Sequence, residues 1–185
     1  MSMYPIASTT VGSGGSSSIT FSSIPQNFTH LQIRAFARTA RATYGDDYLS
    51  MQVGNNTVDT GNNYTVHSLY GDGSSATSTA TAPYNYLSTG YGFAGAQGAS
   101  NVFGNAIFDF LDYSNTSKNK TVRMIGGTDV NGTIAGYGGK VGLSSGVWMN
   151  TSAINVITIY GGSANLSQYS RFDLYGITNS PATGA

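Results

Sequence analysis

A chain of 185 residues suits one domain, which at that size buries on the order of 70% of its unfolded surface. Only 9% of the residues are charged, the net charge is zero and every acidic residue is Asp, so the electrostatic footprint of a nucleic-acid binder is missing. There is no cysteine for a disulfide framework or a thiolate metal site, no apolar run near the ~20 residues of a membrane helix and no signal-peptide pattern, so the expectation is a soluble protein made in a cytoplasm, with neither membrane nor nucleic acid as partner.

The absence of Glu and a total of three Lys remove strong helix formers, while Gly, Ser, Thr, Asn, Tyr and Val abound, which predicts an all-β protein with long loops. In chain order, "MYPIAST" (3–9) reads as an opening strand. "VGSGGSSS" (11–18) reads as a turn, since neither a helix nor a Lys-Ser/Thr pair follows to make a phosphate loop. Strands marked by period-two alternation follow: Ile19 and Phe21 in "SITF", then "HLQIRAFAR" (30–38), with Leu31, Ile33, Ala35 and Ala37 facing inward, then "DYLSMQV" (47–53).

Residues 54–105 interrupt the pattern and read as a long Gly/Ser/Tyr-rich loop, with "GDG" (71–73) a turn lacking the oxygen ligands of a calcium loop. Strands resume at "NAIFDFLDY" (105–113), "KTVRMIGG" (120–127), "KVGLSSGVWM" (140–149), "INVITIYGG" (154–162) and "SRFDLYGI" (170–177). "INVITIY" is apolar on both faces and predicts a central, doubly covered strand. "SRFDLYGI" alternates, with Phe172 and Leu174 inward.

At least eight strands without a helical period between them suit a jelly-roll-like two-sheet sandwich, one domain over 1–180 with a tail at 181–185. Its predicted core includes Leu31, Ile33, Phe108, Phe110, Val122, Met124, Ile157, Phe172 and Leu174.

Reaction chemistry is sparse. His30 and His67 are the only histidines, and no strand-to-helix nucleophile elbow surrounds any Ser. The close carboxylates, Asp46 with Asp47 and Asp109 with Asp112, read as loop caps and solvated sheet edges rather than a glycosidase pair, although Asp109 and Asp112 are the least implausible acids for a polysaccharide depolymerase. The sequence therefore predicts a non-enzyme with no catalytic residue, cofactor or metal.

Contact residues are the better candidates. Tyr64, Tyr70, Tyr84, Tyr86, Tyr91 and Phe93 sit among Gly, Ser and Asn, the mixture antibody paratopes use for aromatic contact and adaptable hydrogen bonding. In "GLSSGVWMN" the buried face is expected to be Leu143, Val147 and Met149, which puts Trp148 on the other face. If that face is open, Trp148 is a sugar platform or a subunit anchor; if both are covered, it is core.

Two segments carry a resemblance. "SSSITFSSIPQNFTHLQIRAFAR" (16–38) and "INVITIYGGSANLSQYSRFDLYGI" (154–177) resemble the two ends of a group of tailed-bacteriophage structural proteins, in which such runs bracket a variable Gly/Ser/Tyr-rich middle. The match covers about a quarter of the chain, is structural, and carries no site residues over. It implies a virion protein: a decoration or cement protein on the outer capsid, commonly a homotrimer, with the major capsid protein as partner. The alternative it allows is a tail-fibre or receptor-binding module that recognises host glycan.

Overall fold

A computed structural model describes residues 2–129 and 139–178. The expected tail at 181–185 lies outside the described residues. The described chain forms no helix and thirteen strands: β1 Ser2–Thr10, β2 Ser18–Phe21, β3 His30–Ala37, β4 Asp46–Asn55, β5 Thr57–Val58, β6 Tyr64–Gly71, β7 Ala76–Tyr84, β8 Leu87–Ala94, β9 Gly104–Leu111, β10 Lys120–Thr128, β11 Lys140–Trp148, β12 Val156–Gly161 and β13 Arg171–Thr178.

They make two antiparallel sheets packed face to face. The larger has the order β1-β13-β3-β9-β10-β11-β6-β7; the smaller has β2-β12-β4-β5, with β8 also paired to β4. Eight of these strands pair from the outside of the sequence inward: β1 with β13, β2 with β12, β3 with β9, and β4 with β8. A four-strand-long hairpin rolled on itself gives that order, and β1-β13-β3-β9 facing β2-β12-β4-β8 is the jelly-roll arrangement. Of the five remaining strands, β10, β11, β6 and β7 extend the larger sheet beyond β9, and the short β5 pairs with the end of β4 in the smaller.

Alternation sets which side chains meet between the sheets. Leu31, Ile33, Phe108, Phe110, Val122, Met124, Phe172 and Leu174 from the larger sheet and Ile157 from the smaller are buried in one cluster, as predicted, and Leu49, Met51 and Val53 of the smaller sheet join them. Each large apolar side chain so placed contributes about 1.5–3 kcal/mol. The inward row Leu174, Ile33, Phe108, Met124 runs directly across four strands and then changes to Ser144 and Ser68, whose hydroxyls share a buried 2.7 Å hydrogen bond. Over this small-residue floor lies β8. Leu87 fits against Gly146, where an added Cβ would stand 2.5 Å from Leu87 Cδ2.

Four expectations change. Residues 54–105 are not one loop: they hold β5 to β8, and β8 supplies Leu87 and Phe93 to the core. β12 is central, between β2 and β4, but its outer face is only partly covered: Val156 there is buried and Thr158 half-buried, its hydroxyl 2.9 Å from that of Thr20. Asp46 and Asp47 are not solvated caps but buried groups: Asp46 pairs with Lys140 at 2.6 Å, and Asp47 accepts from the Thr39 hydroxyl at 2.7 Å and the Tyr48 amide at 2.9 Å. Burial raises the Asp47 pKa, and these hydrogen bonds together with Arg41 pull against it. In β11 the phase is opposite to that expected: Leu143 and Met149 are exposed, while Trp148 is 2% exposed.

Candidate functional site

Trp148 ends β11, on the same inward phase as Ser144 and Gly146. Its indole Nε1 donates to Asp59 Oδ2 at 2.8 Å, and Asn63 Nδ2 and the Gly61 amide donate to the same carboxylate at 2.9 and 2.8 Å. Burial alone would raise the Asp59 pKa, but the three donors outweigh it, so the carboxyl sits below its ordinary value. The cluster ties the β5–β6 connection to β11. It leaves the Trp148 ring no surface for a sugar or a subunit.

Tyr64 and Phe93 are also core, 0% and 1% exposed. The Tyr64 hydroxyl donates to the Asp59 carbonyl at 2.7 Å or to that of Val53 at 3.0 Å, and accepts from the Val53 amide at 3.2 Å. Its ring points inward because β6 alternates Tyr64, Val66 and Ser68 toward the core. These three aromatic candidates, Tyr64, Phe93 and Trp148, build the fold rather than a contact surface.

Tyr84 and Tyr86 do come together, beside the outer face of the smaller sheet. Tyr84 ends β7, Tyr86 lies in the turn to β8, their ring centroids are 4.2 Å apart and their hydroxyls are hydrogen-bonded. Tyr160 of β12 meets Tyr86 edge-on at 6.0 Å. Tyr48 of β4 joins through its hydroxyl: burial first, then hydrogen bonds with Tyr84 and Tyr48, hold the Tyr86 pKa well above its ordinary value. Tyr160 is pushed up to about 12, chiefly by burial. These two phenols therefore stay protonated at neutral pH and half-exposed, four rings in all forming an aromatic patch with hydroxyl donors.

Tyr91 lies on β8 opposite Tyr48 in register. Tyr70 is half-buried on β6, with the Lys140 ammonium 5.4 Å from its ring centroid.

A second surface had no aromatic signal. On the outer face of the larger sheet, Leu69 of β6, Leu143 of β11, Ile125 of β10 and Ile107 of β9 stand directly opposite one another across four adjacent strands. All are exposed, from 36% at Ile107 to 54% at Ile125, and Val141 beside them is 64% exposed. Two shallow apolar depressions of about 270 and 390 Å³ flank Leu69. Alternation finds such residues, but only register reveals that they line up.

The carboxylates considered for hydrolysis are held in ion pairs. Asp109 accepts from Gln32 at 2.9 Å and Arg123 at 3.1 Å. Asp112 accepts from Lys118 at 2.7 Å, which keeps its carboxyl below the ordinary range, and lies 3.6 Å from His30 Nδ1. The described residues contain no group of three His, Cys, Asp or Glu that could hold a metal.

No family model, curated protein or solved structure matches this chain. Its functional reading therefore rests on these two surfaces and on the sequence.

Proposed function

We propose that this chain is a non-enzymatic structural protein of a bacteriophage virion, seated as a decoration protein on the outside of the capsid. The observation that carries the reading is the ladder Leu69, Leu143, Ile125, Ile107: an aligned row of exposed aliphatic side chains on a sheet face, which a protein acting alone in water has no reason to keep. The likeness of residues 16–38 and 154–177 to tailed-phage structural proteins supplies the virion context. The major capsid protein is the partner in this reading, and many copies on one shell multiply a modest single contact.

Leu143→Asp with Ile125→Asp, both exposed, tests it: the folded variant is expected to lose binding to bare capsids by tenfold or more, since centrally placed anchors cost about 2 kcal/mol. Unchanged capsid binding by that variant, or a parent that labels tail tips and ignores capsids, overturns the proposal.

One observation favours a second reading, a receptor-binding module for host glycan. The patch of Tyr48, Tyr84, Tyr86 and Tyr160 offers ring faces and phenolic donors together, the pairing that sugar recognition uses. Under that reading Tyr86→Ala abolishes retention on host surface polysaccharide and leaves capsid binding intact.

A further inference from the structure

Among the described residues the larger sheet ends in two strands that each have one unpaired edge, β1 and β7, and the two edges are built differently. β1 carries Pro5 within it, and its register against β13 slips between Pro5 and Ala7. A proline without an amide hydrogen and an irregularity are the devices by which natural sheets spoil an edge against further pairing. β7 has neither device over most of its length. It pairs regularly with β6 from Ala76 opposite Gly71 to Thr81 opposite Val66, and its proline, Pro83, comes next to last.

β7 is also uncovered. From Ala76 to Pro83 every residue is exposed, so neither face of the strand packs on the smaller sheet. Its sequence, "ATSTATAPY", has no charged residue, whereas single molecules protect such edges with charge. The regular stretch 76–81 gives about 20 Å of edge with unpaired backbone donors and acceptors.

We propose that β7 pairs with β7 of a second copy of this chain, antiparallel about a two-fold axis perpendicular to the sheet. The second copy is the occupant because a two-fold contact sets each residue opposite one from the same segment. A charge at the centre of such a contact would face its own copy, and β7 carries none anywhere. A register centred on Thr79 places Thr77 opposite Thr81 of the second copy on one face. On the other it places Ser78 opposite Ala80, small residues that fit across a strand pair.

The axis keeps both outer faces on the same side, so the pair presents two Leu69–Ile107 ladders on one continuous sheet. This contact is two-fold, where the phage resemblance implies a trimer. It stands whether or not the pair binds a capsid.

The chain has no cysteine, so single introduced thiols report the contact directly. Under mild oxidation Thr79→Cys is expected to give a covalent dimer, Ala80→Cys markedly less, and Ser8→Cys on β1 none. In sedimentation equilibrium the parent is expected to be dimeric, and Thr77→Lys with Thr79→Lys to weaken dimerisation roughly tenfold or more, because like charges then face each other across the pair. These lysines sit on an exposed strand, and an unchanged circular dichroism spectrum confirms that the variant is folded. A monomeric parent without Thr79→Cys cross-links overturns the proposal. So does a dimer indifferent to the lysines, a mixed cross-link between Thr79→Cys and Ser8→Cys, or a β7 edge that captures a foreign extended peptide in place of its own copy.

Discussion

The outer face of the larger sheet changes from polar to apolar at β9 along one row of side chains. Around β13, β3 and β9 polar groups link neighbouring strands: Ser8 of β1 and Arg171 donate to Asp173 at 2.6 and 3.0 Å, Gln32 and Arg123 of β10 donate to Asp109, and Arg34 lies 5.5 Å from the Tyr175 ring centroid, with Phe36 exposed among them. The row of Asp173 and Arg34 continues through Ile107 of β9 as Ile125, Leu143 and Leu69, whereas the row of Gln32 and Asp109 stays polar as Arg123, Ser145 and His67. The strands are contiguous and equally regular, so backbone geometry does not cause the change. The change comes near the border of the jelly roll: Arg34 lies on β3, Ile107 on β9, and Ile125, Leu143 and Leu69 on the extension.

The largest effect that sharpens this contrast is expected at Trp148, which ties the extension to the core. Trp148→Ala removes a 2%-exposed indole and the donor to Asp59, and should cost about 3–5 kcal/mol in denaturant unfolding. Hydrogen exchange should show β6 and β7 losing protection before β13.

A smaller loss, about 1–2 kcal/mol, is expected for Asp59→Asn, since the new amide group cannot accept from Trp148, Asn63 and Gly61 together. The folded Asp59 carboxyl is depressed below 3.8, so its contribution is fully present above that value and is lost as pH falls through the lower folded value. The Asn variant should therefore show a flatter melting-temperature profile in that acidic window.

Arg123→Ala opens an exposed ion pair with Asp109 and should cost no more than about 1 kcal/mol, less in high salt. Smallest of all, Leu143→Ser should change stability by only about 0.5 kcal/mol, as it alters an exposed side chain, while lowering the binding of a hydrophobic dye. A Leu143→Ser loss as large as that of Trp148→Ala would erase the distinction between the polar and apolar parts of that row.

The same contrast explains what could be read from the sequence. Where one face meets the core and the other meets water, alternation is sharp, and β3, β9, β10 and β13 were legible with their inward residues. β7 gave no signal because both its faces are exposed: Thr and Ala alternate there without any apolar contrast. In β11 the outward face is itself apolar, so Leu143 and Met149 imitated a core stripe and put Trp148 on the wrong side. The tyrosine patch was half legible. Tyr84 and Tyr86 stood out in a glycine-rich stretch, but Tyr48 and Tyr160 come from distant strands that only pairing brings to them.

The outside-in pairing of the jelly roll also orders events in time. Among the described strands β1 zips to β13 and β2 to β12, so β1 must wait until residues 171–178 have left the ribosome and β2 until residues 156–161 have. The extension carries hairpins between sequence neighbours, β6 with β7 and β10 with β11, which can close within microseconds. Assembly of the complete sandwich is then a slow step of milliseconds to seconds, dominated by long-range closure. Until it finishes, the apolar strands near the start of the chain stay unpaired and open to wrong association.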